Sequence, residues 1–257
     1  MRQFRVPAGR VFGIRLWLHP SWFLVLALVV WVIGAEYHDL YPRIGATARV
    51  VMAVITGVAF FGCLIVHEVS HSLMARRYGI RVRGITLFMF GGVAEIEGEV
   101  PTPAREFAVA LVGPLTSIAL GGVAGVAAFG AHALGWTVGE AVLLTLSLVN
   151  LGVALFNLIP GLPLDGGRLL RASMWRVTGD RGRATRLSSG IGVLAGVGLA
   201  ALGVALAAGG DIFGLWYVPM GAFLVFLARA SSRSEPPALP GALALGSHEG
   251  QASQPGS

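Results

Sequence analysis

Apolar residues in this chain come in long runs rather than in short alternations. A bilayer span needs about 20 mostly apolar residues. Six stretches approach or exceed that length: Leu16–Ala35, Val50–Ala75, Phe107–Ala131, Ala141–Ile159, Leu187–Ala208 and Ile212–Ala228. The pattern predicts an all-α polytopic membrane protein with about six transmembrane helices. Ile80–Val100, between the second and third runs, is different. Val82, Ile85, Leu87 and Phe90 suit a strand, Gly91-Gly92 can turn, and Val93–Glu99 partly alternates apolar with acidic residues. A small β-hairpin or sheet is expected there. The pattern gives a membrane-embedded domain over 1–230. Residues 231–257, rich in Ser, Pro, Gly and Ala, read as a disordered cytoplasmic tail.

Composition supports this picture. Of 257 residues, 55% are hydrophobic and 12% charged, against about 25% charged in an ordinary soluble domain. The net charge is +6, and all 19 basic residues are arginine. They form no basic stripe on a soluble face, so nucleic acid is not an expected partner. Seventeen of the 19 fall before the first span, between the second and third, between the fourth and fifth, or after the sixth; only Arg43 and Arg49 lie in the alternate loops. The positive-inside rule then puts both termini in the cytoplasm of a multi-pass protein of the cell membrane. The first apolar run is as long as a full span and no small-residue cleavage site follows it, so no cleavable signal peptide is expected. One cysteine, Cys63, rules out an intrachain disulfide. Gly121/Gly125 and Gly192/Gly196 have the spacing that lets helices approach closely.

The chemistry concentrates in His67-Glu68-Val69-Ser70-His71. On a helix, positions i and i+4 share a face, so both imidazoles can reach one Zn²⁺. Glu68 is placed to act as general base on metal-bound water, whose pKa zinc lowers to about 7. The motif lies inside an apolar run, where a charged side chain costs about 2.5–3.5 kcal/mol on insertion scales. A metal and its water compensate that cost; a polar cluster that packs helices or relays protons is the bland alternative.

A catalytic zinc wants three protein ligands and one open position. Asp165, in Asn157-Leu-Ile-Pro160-Gly-Leu-Pro163-Leu-Asp165-Gly166-Gly167-Arg168, is the best third ligand. Pro160 and Pro163 end the fourth span, and irregular backbone at membrane depth is tolerated where it lines a cavity. Alternatively Asp165 merely caps an amphipathic segment over Arg168–Val177. Asn157 could stabilise an oxyanion or make an interhelical hydrogen bond. Glu95, Glu97, Glu99 and Cys63 are rival third ligands.

In order and spacing, three elements resemble the site-2 protease family of intramembrane zinc metalloproteases: His67-Glu68-x-x-His71 with Ala75-Arg76-Arg77-Tyr78-Gly79, then Gly91-Gly92-Val93-Ala94, then Asn157 with Pro163-Leu164-Asp165-Gly166-Gly167-Arg168. The resemblance covers the second to fourth spans. It implies one Zn²⁺ held by His67, His71 and Asp165, with Glu68 activating water and Asn157 near the scissile carbonyl. It also implies that the Gly91-Gly92 stretch meets the substrate. The intervals are too short for the PDZ domain of some relatives, and the tail for the CBS pair of others, so a minimal form is expected. The expected partners are the lipid bilayer and a membrane protein cut in or near a transmembrane segment. A metal transporter using the same ligands, or a silent binder of membrane helices, are the readings from other classes.

Overall fold

The computed structural model describes residues 5–89, 91–97 and 100–233. The chain opens with two strands, β1 (Val6–Val11) and β2 (Ile14–Leu18), before the first helix, α1 (Ser21–Leu40). The first span is therefore displaced from the expected Leu16–Ala35. The cause is local. Ile14, Leu16 and Leu18 alternate with Arg15 and Trp17, the two-residue period of a strand. His19 precedes Pro20 and is biased away from helix, so α1 begins only after it.

The long helix α2 (Ala46–Arg77) follows, then β3 (Arg81–Phe88) and β4 (Gly91–Glu97). These two are the expected hairpin, but the sheet has four strands in the order β1-β2-β3-β4. β2 runs parallel to β3; the other two pairs are antiparallel. The 32 residues of α2 measure about 48 Å at 1.5 Å per residue. A hydrocarbon core is about 30 Å thick, so α2 is longer than a span requires, and its basic last turn with Arg76 and Arg77 is the end whose charge suits the membrane surface.

The remaining elements among the described residues are helical: α3 (Pro103–Ala133), α4 (Thr137–Asn157), α5 (Asp165–Thr178), α6 (Arg181–Ala208), a short 3₁₀ turn (Ile212–Trp216) and α7 (Tyr217–Arg233). Their ends follow ordinary chemistry. Thr102 accepts a hydrogen bond from the Arg105 amide, Asp180 accepts one from the Arg183 amide, and Gly179 closes α5 in the left-handed conformation. The last span is split because Pro219 cannot supply an amide to a continuous helix from Ile212. Ser231–Arg233, expected in the disordered tail, finish α7; residues 234–257 lie outside the described residues.

Among the described residues, six helical segments are long and apolar enough to cross a membrane, and large apolar side chains such as Val126, Phe129 and Leu155 are exposed around them. That is the surface of a protein solvated by lipid, and the chain is a multi-pass membrane protein. Its interior packs through small residues and paired polar groups. Tyr37 on α1 hydrogen-bonds Thr56 on α2 at 3.0 Å and Thr145 on α4 at 3.1 Å. Gly196 on α6 and Gly221 on α7 meet backbone to backbone. The inner face of the sheet, with Ile14, Leu16, Ile85 and Leu87, packs on Val69 of α2. This fixes the sheet beside the helical turn that holds His67, Glu68 and His71.

Candidate active site

Three side chains from two elements converge. His67 and His71 lie one turn apart on α2, and Asp165 is the first residue of α5. The Asp165 Oδ2 is 3.3 Å from His67 Nε2 and 3.1 Å from His71 Nε2, and the two Nε2 atoms are 3.2 Å apart. All three residues are buried. Asp165 does not act as a cap: Leu164 occupies the N-cap, and Asp165 turns into the cluster.

The outer ring nitrogens are held from α3. His71 Nδ1 donates to the Val109 carbonyl at 2.6 Å, and His67 Nδ1 lies 2.8 Å from Ser117 Oγ. A carbonyl only accepts, so the proton of a neutral His71 is on Nδ1 and its Nε2 offers a lone pair. If Ser117 likewise accepts from His67, three acceptor atoms face one another at about 3.2 Å, which needs a cation between them. Ligands at the usual zinc distances of about 2.0–2.1 Å lie roughly 3.3 Å apart in a tetrahedral site. The two-imidazole, one-carboxylate donor set therefore fits a divalent metal with one position left open. Burial alone would raise the Asp165 pKa. Where a proton stands in the metal's place, hydrogen bonds from the His67 and His71 Nε2 atoms, with the charges of His71 and Arg168, outweigh it and hold the carboxyl below the usual carboxylate range. The group is thus the anion that a metal requires.

Two glycines make room for the cluster. A Cβ on Gly113 of α3 would sit 2.1 Å from His71 Nε2 and 2.7 Å from His67 Nε2. No other residue fits there while the imidazoles keep their places. Similarly, a Cβ on Gly92 of β4 would fall 2.5 Å from the Glu68 Cγ, so the edge strand crosses directly over Glu68. Among the described residues no hydrogen bond or ion pair engages the Glu68 carboxylate, which leaves it free for proton transfer.

The loop that delivers Asp165 is folded tightly. A Cβ on Gly166 would lie 2.2 Å from the Leu158 carbonyl oxygen, and one on Gly167 would lie 2.1 Å from the Leu162 amide nitrogen. The Gly-Gly pair after Asp165 is thus a steric requirement of the turn. α5 is then tied to α3 by Arg171, which donates to Glu106 through Nε at 2.8 Å and also through Nη2. Glu106 is 1% exposed. Removing one partner of such a buried pair costs about 3–5 kcal/mol.

Of the residues expected from the sequence, the structure brings His67, His71 and Asp165 together and places Glu68, on the same turn of α2, under Gly92. It does not do so for the remaining candidates. Asn157 ends α4 with its amide donating to the Val153 carbonyl at 3.0 Å, inside its own helix. Glu95 pairs with Arg5 on the outer sheet face. Cys63 is a free, partly buried thiol outside the cluster. The Glu97 side chain and Glu99 lie outside the described residues. Ser117, the Val109 carbonyl, Gly113 and the Glu106–Arg171 pair were not anticipated. The available signal was Gly113 and Ser117 at helical spacing in an apolar run, with Glu106 at its edge. Ser117→Ala is expected to lower metal affinity about 10- to 100-fold, the usual cost of losing an outer partner of a ligand. Competition with a chelator of known affinity measures it.

Comparison with known proteins agrees with this geometry. The model of peptidase family M50 matches residues 55–135 and 120–199. The chain is 37% identical over 233 residues to "Putative zinc metalloprotease sll0528" of Synechocystis sp., covering 89% of this chain and 60% of that protein. It is 37% identical over 231 residues to "Putative zinc metalloprotease Rip3" of Mycobacterium tuberculosis, covering 87% and 58%. The chain thus spans about six tenths of the length of these curated relatives. Its fold superposes on the site-2 protease from Methanocaldococcus jannaschii with a TM-score of 0.62 and 25% identity, over 91% of this chain and 97% of that one. The family match takes in both histidines, Glu68 and Asp165 and extends over more than half of the chain, which therefore belongs to peptidase family M50, the family of the site-2 proteases.

Proposed function

We propose that the chain is an intramembrane zinc endopeptidase that cuts peptide bonds in or near transmembrane segments of other membrane proteins. The observation that carries this is the convergence of His67 and His71, on the membrane-spanning helix α2, with Asp165 at the start of α5, beside a Glu68 carboxylate that has no partner among the described residues. His67, His71 and Asp165 would hold one Zn²⁺. When bound, the metal supplies a Lewis acid and lowers the pKa of water at the open position. The zinc metalloprotease names of the relatives support the choice of metal.

Glu68 takes the proton of the attacking water and returns it to the leaving amine. His67 and His71 are oriented from α3, so the site is assembled before substrate arrives. β4 is an edge strand whose glycine end lies over Glu68. An extended substrate segment added to that edge would present its backbone to the carboxylate. A transmembrane helix must unwind first, because a helical amide is hydrogen-bonded and screened. Asn157 reaches an oxyanion only if its amide leaves the Val153 carbonyl on substrate binding.

The arginine distribution supports cytoplasmic termini and a site that opens to the cytoplasmic side. The test is cleavage of a single-span substrate in liposomes, with the products mapped by mass spectrometry. Products ending within or beside the span are expected. Intact substrate with zinc-loaded enzyme would refute the proposal in favour of binding without catalysis.

A further inference from the structure

The outer face of the four-stranded sheet is a second chemical environment. Ile14 and Leu16 point inward, so Arg15 and Trp17 of the same strand point outward. Arg10 stands directly opposite Arg15 across the β1–β2 ladder, on the same face. With Arg5, Arg83 and Glu95 they line a cavity of about 650 Å³. A second cavity, of about 490 Å³, meets it at Gly13 and Arg83 and adds Arg76 and Arg81. Glu95 is already paired with Arg5. Among the described residues nothing bonds to the guanidinium of Arg10 or Arg15. Like charges directly opposed across a ladder destabilise it, and an anion between them reverses that sign.

The height of this face is set by two contacts. Arg76, in the last turn of α2, donates to the Phe12 carbonyl in the β1–β2 turn at 2.7 Å. At the other end of the sheet, Gly92 lies against Glu68, eight residues or about 12 Å deeper along α2. Arg10 and Arg15 therefore sit level with the helix end that leaves the apolar layer. Trp17 lies one pleat deeper on the same face. Guanidinium groups at phosphate height with an indole just below match the depth profile of a lipid interface.

We propose that this outer sheet face binds the phosphate of an anionic phospholipid headgroup, with Arg10 and Arg15 as donors and Trp17 packed beneath them. Arginine forks suit phosphate oxygens. The site is independent of the hydrolytic chemistry, and the membrane in which the chain sits supplies the ligand.

The test titrates short-chain phosphatidylglycerol into purified full-length protein in zwitterionic micelles and reads the thermal midpoint. Short-chain phosphatidylcholine and inorganic phosphate are the controls. The wild-type midpoint is expected to rise with phosphatidylglycerol and with neither control. An arginine at an anionic surface contributes about fivefold in affinity, so Arg10→Gln/Arg15→Gln should need about 30-fold more lipid for half the effect. Arg10→Glu converts the opposed charges into an ion pair; it should melt at or above wild type in phosphatidylcholine and lose the phosphatidylglycerol response. Arg229→Gln/Arg233→Gln, which removes as much charge elsewhere, should respond as wild type. The proposal is overturned if the Arg10 and Arg15 variants respond as wild type. An equal response to inorganic phosphate would reassign the face to a free anion. An equal response to a soluble acidic peptide would reassign it to a protein partner.

Discussion

Glu68→Gln is expected to lower cleavage of a transmembrane substrate by at least about 100- to 10,000-fold, the contribution of a positioned general base, while leaving metal content unchanged. Two features separate the effects. Glu68 is not among the three converging side chains, so its loss does not touch the ligand set. The amide of glutamine is also close in size to the carboxylate, so the contact beneath Gly92 is kept. Glutamine cannot accept the proton of the attacking water. The measurement pairs a cleavage rate with zinc content on the same preparation. Full activity in Glu68→Gln would remove Glu68 from the mechanism; lost zinc would make it a ligand.

Asp165→Ala is expected to lose both activity and metal. Asp165 is the only anionic member of the cluster, and its Oδ2 is shared by both imidazoles at 3.1 and 3.3 Å. Without it the two Nε2 atoms still face each other, but nothing balances a divalent charge in a buried setting. The expected outcome is less than about a tenth of the wild-type zinc content after dialysis, in line with a loss of at least tenfold to a hundredfold in affinity. The Glu106–Arg171 contact holds α5 in place independently, so the variant should remain folded by thermal melting. Full zinc retention in a folded Asp165→Ala protein would send the search for a third ligand elsewhere.

The helical frame could be read from the sequence because lipid imposes one simple requirement, about 20 apolar residues per span. Where that rule alone governed, as in the third and fourth spans, the expected and observed helices nearly coincide. It misled at the N-terminus. Leu16 and Leu18 are apolar and contiguous with α1 in sequence, yet they alternate with Arg15 and Trp17 and belong to a strand. The parallel pairing of β2 with β3 joins residues about 70 positions apart, and no local pattern encodes that. At the site, the motif spacing singled out His67, Glu68 and His71 because helical geometry places i and i+4 on one face, and the fold sets both imidazoles against Asp165. Asp165 was legible from its chemistry and from the prolines and glycines around it. The supports on α3 were not, since a buried Ser117 or Gly113 in an apolar helix looks like ordinary packing until a neighbour is known.

In the proposed mechanism, peptide hydrolysis requires a metal held by His67, His71 and Asp165. The most direct measurement follows one preparation of wild-type protein in liposomes through removal and return of zinc, with cleavage of a single-span substrate recorded at each stage. One zinc per chain is expected at the start, with loss of cleavage when a chelator strips it and recovery when one equivalent is returned. Undiminished cleavage by the metal-free protein would contradict the mechanism.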